Sequence, residues 1–218
     1  MTRTRYPRLI ALLTAAWLAL SLTASSLHLF VTPPGRPPIP VLLSVLLPIA
    51  IFTVWYFGSS RFRDFLLGLN PQTVTLLHGW RVAGFAFVAL AAYNILPNLF
   101  AQPAGWGDIA IGITAPFVAY RLATPAHRRT FILWQLLGMT DLVLAISLGG
   151  LSTFMATPGA ITATPMAVLP LSFIPTFGVP LLLILHIISI AQARRWSPQR
   201  DPNLARELNA FPSRTATN

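Results

Sequence analysis

The 218-residue sequence contains no cysteine and no lysine. Without cysteine the chain cannot form disulfides or iron–sulfur clusters, ligate zinc through thiolates, or attach a c-type haem covalently. Without lysine it cannot form the Schiff base on which retinal and the usual pyridoxal chemistry depend. All 15 basic residues are therefore arginines, and the sequence assigns no cofactor.

Charged residues are also scarce. They make up 9% of the chain, whereas 55% of the residues are hydrophobic; a soluble domain carries about 25% charged residues. So few charges cannot cover a water-soluble globule. The net charge of +10 resembles that of a nucleic-acid-binding protein, but the arginines stand at the ends of apolar runs, where membrane topology explains them. We expect no nucleic-acid partner.

Apolar runs long enough to cross a bilayer, which takes about 20 residues, recur along the chain. They predict an all-α fold with one transmembrane domain over residues 1–193 and a polar cytoplasmic tail over residues 194–218. The lipid bilayer is the expected partner, and oligomeric state is left open. The predicted spans cover about residues 9–31, 40–58, 73–100, 106–123, 130–150 and 168–193.

The first span has an alternative interpretation as a cleaved signal peptide. Basic residues precede its apolar stretch, and the small residues Ala24-Ser25-Ser26 follow. The apolar stretch is longer than the usual length of about 7–15 residues, which favours a retained helix.

The arginines predict the orientation. If the N-terminus is cytoplasmic, fourteen arginines, including Arg81 near the start of the third span, lie on the cytoplasmic side and only Arg36 lies outside. Positive residues prefer cytoplasmic loops. The expected location is therefore a bacterial inner (plasma) membrane, crossed several times, with both chain termini in the cytoplasm.

Asp141 stands near the middle of the fifth predicted span. An ionisable side chain in hydrocarbon is costly and marks a functional site by default. At helical spacing it shares a face with Gly138, Ala145 and Gly149, and Gln135 lies at the edge of that face. The small residues would allow another helix to approach closely. Asp141 therefore either binds a ligand or proton or bonds a neighbouring helix.

Asp108 is the second acidic candidate. It follows Pro103-Ala104-Gly105-Trp106-Gly107, which predicts a turn, so Asp108 is expected to cap the fourth helix near the outer surface. Asn94, in the outer half of the third span, would form a polar vestibule with Asp108 at the outer side of the bundle. The alternative is that these polar groups serve only capping and helix packing.

The sixth span contains Pro175, Gly178 and Pro180. A break in a membrane helix frees backbone groups and is tolerated mainly where it is buried or lines a cavity. Transporters often place substrate sites at such breaks. The predicted ligand-binding residues are accordingly Asp141, Asp108, Asn94, Gln135 and Thr176.

Two histidines, His78 and His186, are predicted at similar depth on different helices. Such a pair could ligate a b-type haem or a metal if both side chains face one cavity. Interfacial histidines that only make hydrogen bonds are the alternative.

Residues 105–108 spell Gly-Trp-Gly-Asp, which is similar to the GxGD motif of membrane aspartyl proteases. This resemblance implies a pair of catalytic aspartates, Asp108 and Asp141, that share a proton. The order departs from the family pattern, because the partner aspartate here follows the motif. No Pro-Ala-Leu motif follows either.

A second resemblance covers about residues 71–193. It rests on residues 100–119 (FAQPAGWGDIAIGITAPFVA), 134–149 (WQLLGMTDLVLAISLG) and 170–186 (PLSFIPTFGVPLLLILH). These stretches resemble an uncharacterised group of small bacterial six-helix membrane proteins. The resemblance implies a shared fold with Asp108, Asp141 and His186 in its common pattern, and it implies no activity.

The leading functional hypothesis is that the bundle binds or translocates a small molecule or ion, without being an enzyme. A GxGD-type protease is the alternative. A haem- or metal-binding subunit and a structural accessory subunit are further alternatives.

Overall fold

A computed structural model describes residues 5–33 and 35–196, and within these residues every regular element is helical. The expected all-α class is thus confirmed. The α-helices are α1 (Arg5–Ser26), α2 (Ile39–Gly58), α3 (Ser60–Leu67), α4 (Pro71–Leu76), α5 (Phe85–Ala92), α6 (Asn98–Phe117), α7 (Arg128–Phe154) and α8 (Val179–Arg194). Short 3₁₀ segments cover Leu77–Gly84, Pro125–His127 and Thr164–Ala167, and π-helical turns cover Val118–Leu122 and Ile174–Gly178. The predicted tail lies from residue 197 onward outside the described residues.

Five helical segments in the described part are long and apolar enough to cross a membrane. They are Tyr6–Ser26, Ile39–Gly58, Pro71–Ala92, Pro125–Phe154 and Ile174–Arg194. Large apolar side chains cover their outer surfaces; Val54 and Phe57, for example, are 74% and 73% exposed. Such a surface is stable in lipid and costly in water. The chain is therefore a membrane protein. Helix α6, which contains most of the fourth predicted span (residues 106–123), is not among the five segments, so the total of six spans stays a prediction.

The third predicted span, residues 73–100, is not one helix. Its first helix, α4, begins at Pro71, which suits the first helical turn. The preceding Asn70 caps it, because the Asn70 side chain accepts hydrogen bonds from the backbone N–H groups of Gln72 (2.8 Å) and Thr73 (3.3 Å). The 3₁₀ segment Leu77–Gly84 follows α4, and α5 follows that segment and ends at Ala92. Asn94 follows in a turn with φ of 56°, a left-handed conformation that asparagine tolerates better than most residues.

The prediction of a turn at residues 103–107, with Asp108 as a helix cap, was wrong. Helix α6 begins at Asn98 and runs unbroken through Asp108. The glycines lie inside the helix because another element packs against them. A Cβ added to Gly105 would lie 2.7 Å from Val88 Cγ2 and 2.9 Å from the Gly84 carbonyl oxygen. Tertiary contact has overridden the local preference of glycine for turns.

The break predicted in the sixth span falls on the π-helical turn Ile174–Gly178, which leads directly into α8. Pro175 and Gly178 lie within this turn, and Pro180 is the second residue of α8. The turn is covered by α1, whose Trp17 ring lies 4.7 Å from the Phe177 ring, measured between centroids. The interrupted backbone is therefore buried in protein, as such a break in a membrane helix requires.

Helix α6 lies between the 3₁₀ segment and α7, and two apolar clusters occupy its ends. One cluster contains Phe87, Leu96, Phe100 and Met166. The other contains Ile111, Val118, Phe131 and Trp134. Asp108 lies between the two clusters along α6. The middle of the bundle is therefore polar, with close-packed apolar layers on either side.

Candidate functional site: a buried arginine between two aspartates

Arg81 is the centre of the polar middle layer. It projects from the 3₁₀ segment, and only 3% of the residue is exposed. Counting Arg81 with the arginines at the cytoplasmic membrane surface was therefore wrong. The arginine count had treated every arginine as a marker of a membrane surface. Removing Arg81 from the cytoplasmic group leaves thirteen arginines there against one outside, so the expected orientation keeps its basis.

The Arg81 guanidinium joins three helices. Its Nε donates to Asp108 Oδ1 on α6 at 2.6 Å, and its Nη2 donates to Asp141 Oδ2 on α7. Its Nη1 lies 3.3 Å from both the Gly138 carbonyl oxygen and His186 Nε2. Every guanidinium nitrogen thus has an acceptor, which is the arrangement that a buried arginine needs.

The charges of this Arg81–Asp108–Asp141 cluster do not cancel. With both carboxylates ionised, two negative charges face one positive charge. The Arg81 side chain is 1% exposed, whereas those of Asp108 and Asp141 are 14% and 16% exposed. An excess charge in a low-dielectric interior is costly unless a counter-charge approaches. The cluster can therefore accept one proton or one cation, and it can do so at the exposed edges of the carboxylates.

Glycines bring the three helices close enough for these contacts. A Cβ added to Gly107 would overlap the Asp141 carboxylate. One added to Gly138 would lie 2.6 Å from His186 Nε2 and 3.2 Å from Arg81 Nη1. The predicted small-residue face of Gly138 and Asp141 therefore does face other helices. The GxGD glycines serve the same close packing.

A cavity of about 420 Å³ opens beside Asp108. It lies between α2, α6, α7 and the segment that precedes α8. Its walls are apolar, with Phe87, Phe100, Leu142 and Val179 among the lining residues. Asp108 is the one charged residue among the described residues that line it. The cavity thus has apolar walls and one acidic end, at Asp108.

His78 and His186 are neighbours, stacked with ring centroids 3.9 Å apart and planes 23° from parallel. The two rings touch face to face, so a haem plane cannot lie between them, and the geometry does not fit bis-histidine ligation. Within residues 5–33 and 35–196, no group of three or more histidine, cysteine, aspartate or glutamate side chains could hold a metal ion. His186 instead belongs to the hydrogen-bonded layer around Arg81, and His78 stacks on its ring.

Gln135 supports His186. The two side chains are fully buried, and His186 Nδ1 lies 2.5 Å from Gln135 Oε1. Because an amide oxygen can only accept, Nδ1 carries the proton, and Nε2 is left to accept from Arg81 Nη1. Gln135 thereby sets the tautomer of His186 and, through it, the position of the guanidinium.

Two of the predicted ligand-binding residues lie away from the cluster. Asn94 is exposed in the turn after α5. Thr176 is buried, but its hydroxyl lies 2.5 Å from Ser21 Oγ on α1 and donates to the Ser172 carbonyl oxygen at 2.7 Å. The structure therefore brings Asp108, Asp141 and Gln135 together and leaves Asn94 and Thr176 outside.

The aspartates do approach each other, as the protease hypothesis requires, but a guanidinium joins them. An aspartyl protease dyad shares one proton between its carboxylates. Here Asp108 and Asp141 each accept from a different nitrogen of Arg81. This arrangement favours ion-paired carboxylates over a shared-proton dyad.

The fold and site define a multi-helix membrane protein whose centre is a buried arginine paired with two aspartates. The chain belongs to the family described as a domain of unknown function, DUF8737, which matches residues 37–194. Arg81, Asp108 and Asp141 all fall in the matched region, whereas α1 precedes it. No curated protein and no solved structure matches the chain.

Proposed function

We propose that this protein binds and translocates a small, positively charged or proton-carrying molecule across the plasma membrane, at the Arg81–Asp108–Asp141 cluster. One observation carries the proposal: Asp108 is the charged end of the apolar cavity and also a member of a cluster with excess negative charge. A ligand that enters the cavity therefore meets a carboxylate whose charge Arg81 only partly balances.

The chemistry of the cavity favours one ligand class, an apolar cation. Its aliphatic and aromatic walls favour an apolar body, with a gain of about 25 cal/mol for each Å² of apolar surface removed from water. Its acidic end favours a positive group and repels anions. Arg81 does not favour an anion there, because each of its nitrogens already has an acceptor and the two carboxylates beside it repel negative charge.

Binding of tetraphenylphosphonium tests this proposal, with the nearly isosteric anion tetraphenylborate as the matched probe. We expect the purified protein to bind the cation and not the anion. Asp108→Asn should weaken cation binding by about tenfold or more, which corresponds to about 1.4 kcal/mol. The variant should still fold, because Arg81 then pairs one-to-one with Asp141. Equilibrium dialysis or isothermal titration calorimetry in mild detergent measures the affinities.

Asp64→Asn is the control, because Asp64 is an exposed acidic residue on α3 whose side chain is 66% exposed. It should leave the affinity unchanged. Equal binding of the cation and the anion would show partitioning into apolar surface and would refute a charge-selective site. Unchanged cation affinity in Asp108→Asn would also refute a charge-selective site and would favour a structural role for the cluster.

The orientation is tested by single cysteines, since the natural sequence has none. Ala126 and Ala160 are both exposed and lie beyond opposite ends of α7. With both chain termini cytoplasmic, a membrane-impermeant maleimide should label Ala160→Cys in intact cells and Ala126→Cys only after permeabilisation. The reverse pattern would invert the proposed topology.

A further inference from the structure

A second polar feature lies on the other side of Arg81 from the cavity. In this part of the bundle, four of the buried residues carry side-chain atoms that have no hydrogen-bond partner among the described residues. These atoms are Nδ1 and Nε2 of His78, Nε2 of Gln135, Oγ of Ser189 and Oε1 of Gln192. His78, Gln135 and Ser189 are fully buried, and Gln192 is 4% exposed. We call these four residues, together with His186, the inner row.

The inner row follows the contact between α8 and the elements that face it. His186, Ser189 and Gln192 are spaced three residues apart along α8, over about 9 Å at the helical rise. His78 stacks on His186 from the 3₁₀ segment. At the far end, the Gln192 amide donates to the carbonyl oxygens of Leu66 (3.1 Å) and Leu69 (2.8 Å). The row therefore leads from the centre of the bundle to the loop between α3 and α4.

The cavity and the inner row lie on opposite sides of Arg81. Asp141 is six residues beyond Gln135 on the continuous helix α7, a separation of about 9 Å along the axis. The cavity continues from there toward Phe154, whereas the inner row continues toward the Arg128 end. The Arg81 guanidinium lies between these two halves, since it contacts both Asp141 and His186.

Buried polar atoms are satisfied in almost all native structures, by protein groups or by ordered water. Five unpartnered atoms in one row are costly if the row is dry. Each can bind water, and adjacent members can share one. A hydrated row that reaches a surface loop is a route along which protons can move.

His78 is the residue in this row that can pass a proton on. An imidazole takes a proton at one nitrogen and releases one from the other, so both nitrogens must be free. Both are free in His78, whereas Gln135 and Arg81 occupy those of His186. The other charged or titratable groups facing His78 are Arg81 on its own segment and His186 on α8; the neighbouring Trp134 of α7 is neutral.

We propose that the ion moved by this protein is a proton and that His78 is its binding site on the inner side of Arg81. A protonated water donates its extra proton to the free nitrogen of neutral His78 and becomes an ordinary water. The imidazolium then releases the proton of its other nitrogen to the next water, which becomes protonated, and the ring returns to neutral in its other tautomer. On the other side, an incoming proton neutralises Asp108 or Asp141. The outer half of this route rests on the proposed function, but the His78 step does not require an organic cation.

Proteoliposomes loaded with a pH-sensitive dye test the step. A potassium gradient with valinomycin supplies the driving force, and the initial rate of internal pH change reports proton flux. We expect flux well above that of protein-free vesicles. His78→Phe should keep the ring stack but lose the nitrogens, and His78→Gln should keep polar groups that bind water. Both variants should lower the flux by about a hundredfold, a loss typical for removal of a proton-transfer group.

His127→Phe is the matched control, since His127 is exposed directly before α7, and it should leave the flux unchanged. If the parent conducts no protons, or if His78→Gln conducts as well as the parent, the His78 step is refuted. Tetraphenylphosphonium binding should persist in both His78 variants, which shows that they fold. If the parent protein conducts protons but does not bind tetraphenylphosphonium, the organic-cation proposal is refuted and the proton step is retained.

Gln192→Leu provides a second variant, remote from the cluster, that closes the end of the row with an apolar side chain. It should lower the proton flux without altering tetraphenylphosphonium affinity. Unchanged flux in this variant would show that protons do not leave by the inner row.

Discussion

Replacing Arg81 by methionine is expected to destabilise the protein by about 3–5 kcal/mol, because removing one partner of a buried ion pair leaves uncompensated charge. Here the effect falls on two carboxylates at once, since Arg81 is the partner of both Asp108 and Asp141. The methionine fills much of the volume of the arginine stem, so lost packing contributes little. The midpoint of unfolding in mixed detergent, followed by tryptophan fluorescence, measures the change.

The triple variant Arg81→Met, Asp108→Asn, Asp141→Asn separates charge from structure. It contains no net charge in the cluster and should recover most of the lost stability. Arg121→Met, at an exposed arginine, is the control and should change stability by less than about 0.5 kcal/mol. If the triple variant is as unstable as Arg81→Met alone, the cluster is held by the geometry of its hydrogen bonds and not by its charge balance.

Replacing Gly112 by alanine is expected to destabilise the protein by about 1–3 kcal/mol, the usual cost of overpacking. An added Cβ would lie 2.5 Å from the Val82 backbone nitrogen and 2.9 Å from the Arg81 carbonyl carbon. These are backbone atoms, which cannot rotate away as the end of a side chain can. Helix α6 must therefore move away from the 3₁₀ segment, and the bond between Arg81 and Asp108 must lengthen.

Gly79→Ala is the matched control, because Gly79 lies in the same 3₁₀ segment and a Cβ there would meet no described atom within 4 Å. It should leave both thermal stability and tetraphenylphosphonium affinity unchanged. Gly112→Ala should lower both. Wild-type stability in Gly112→Ala would contradict the close approach of the two elements.

The polar centre was partly predictable, because charge in a long apolar run is rare. Asp141 and Asp108 stand out by this argument alone. The spacing of Gly138 and Asp141 also predicted correctly that this face of α7 meets other helices. The start of α4 can likewise be read from the sequence at Asn70-Pro71, since the capping preference of asparagine and the preference of proline for the first helical turn are local properties.

Other features of the site could not be predicted from the local sequence. Arg81 resembles a membrane-surface arginine until its two carboxylate partners are known. The glycines at 105 and 107 resemble a turn until Gly84 and Asp141 are seen packed against them. Asn94 resembles a site residue only while the third span is assumed to be one straight helix. Thr176 does so only until its hydroxyl is seen bonded to Ser21 and Ser172.

By itself the sequence determined the helical membrane class, because hydrophobicity and helix starts are sums over neighbouring residues. Only the tertiary structure decided the site, because its ion pairs join residues 27 and 60 positions apart. Which carboxylate meets which cation depends on the angles and separations of packed helices. Here those separations are set by glycines whose role appears only when the opposing helix is in place.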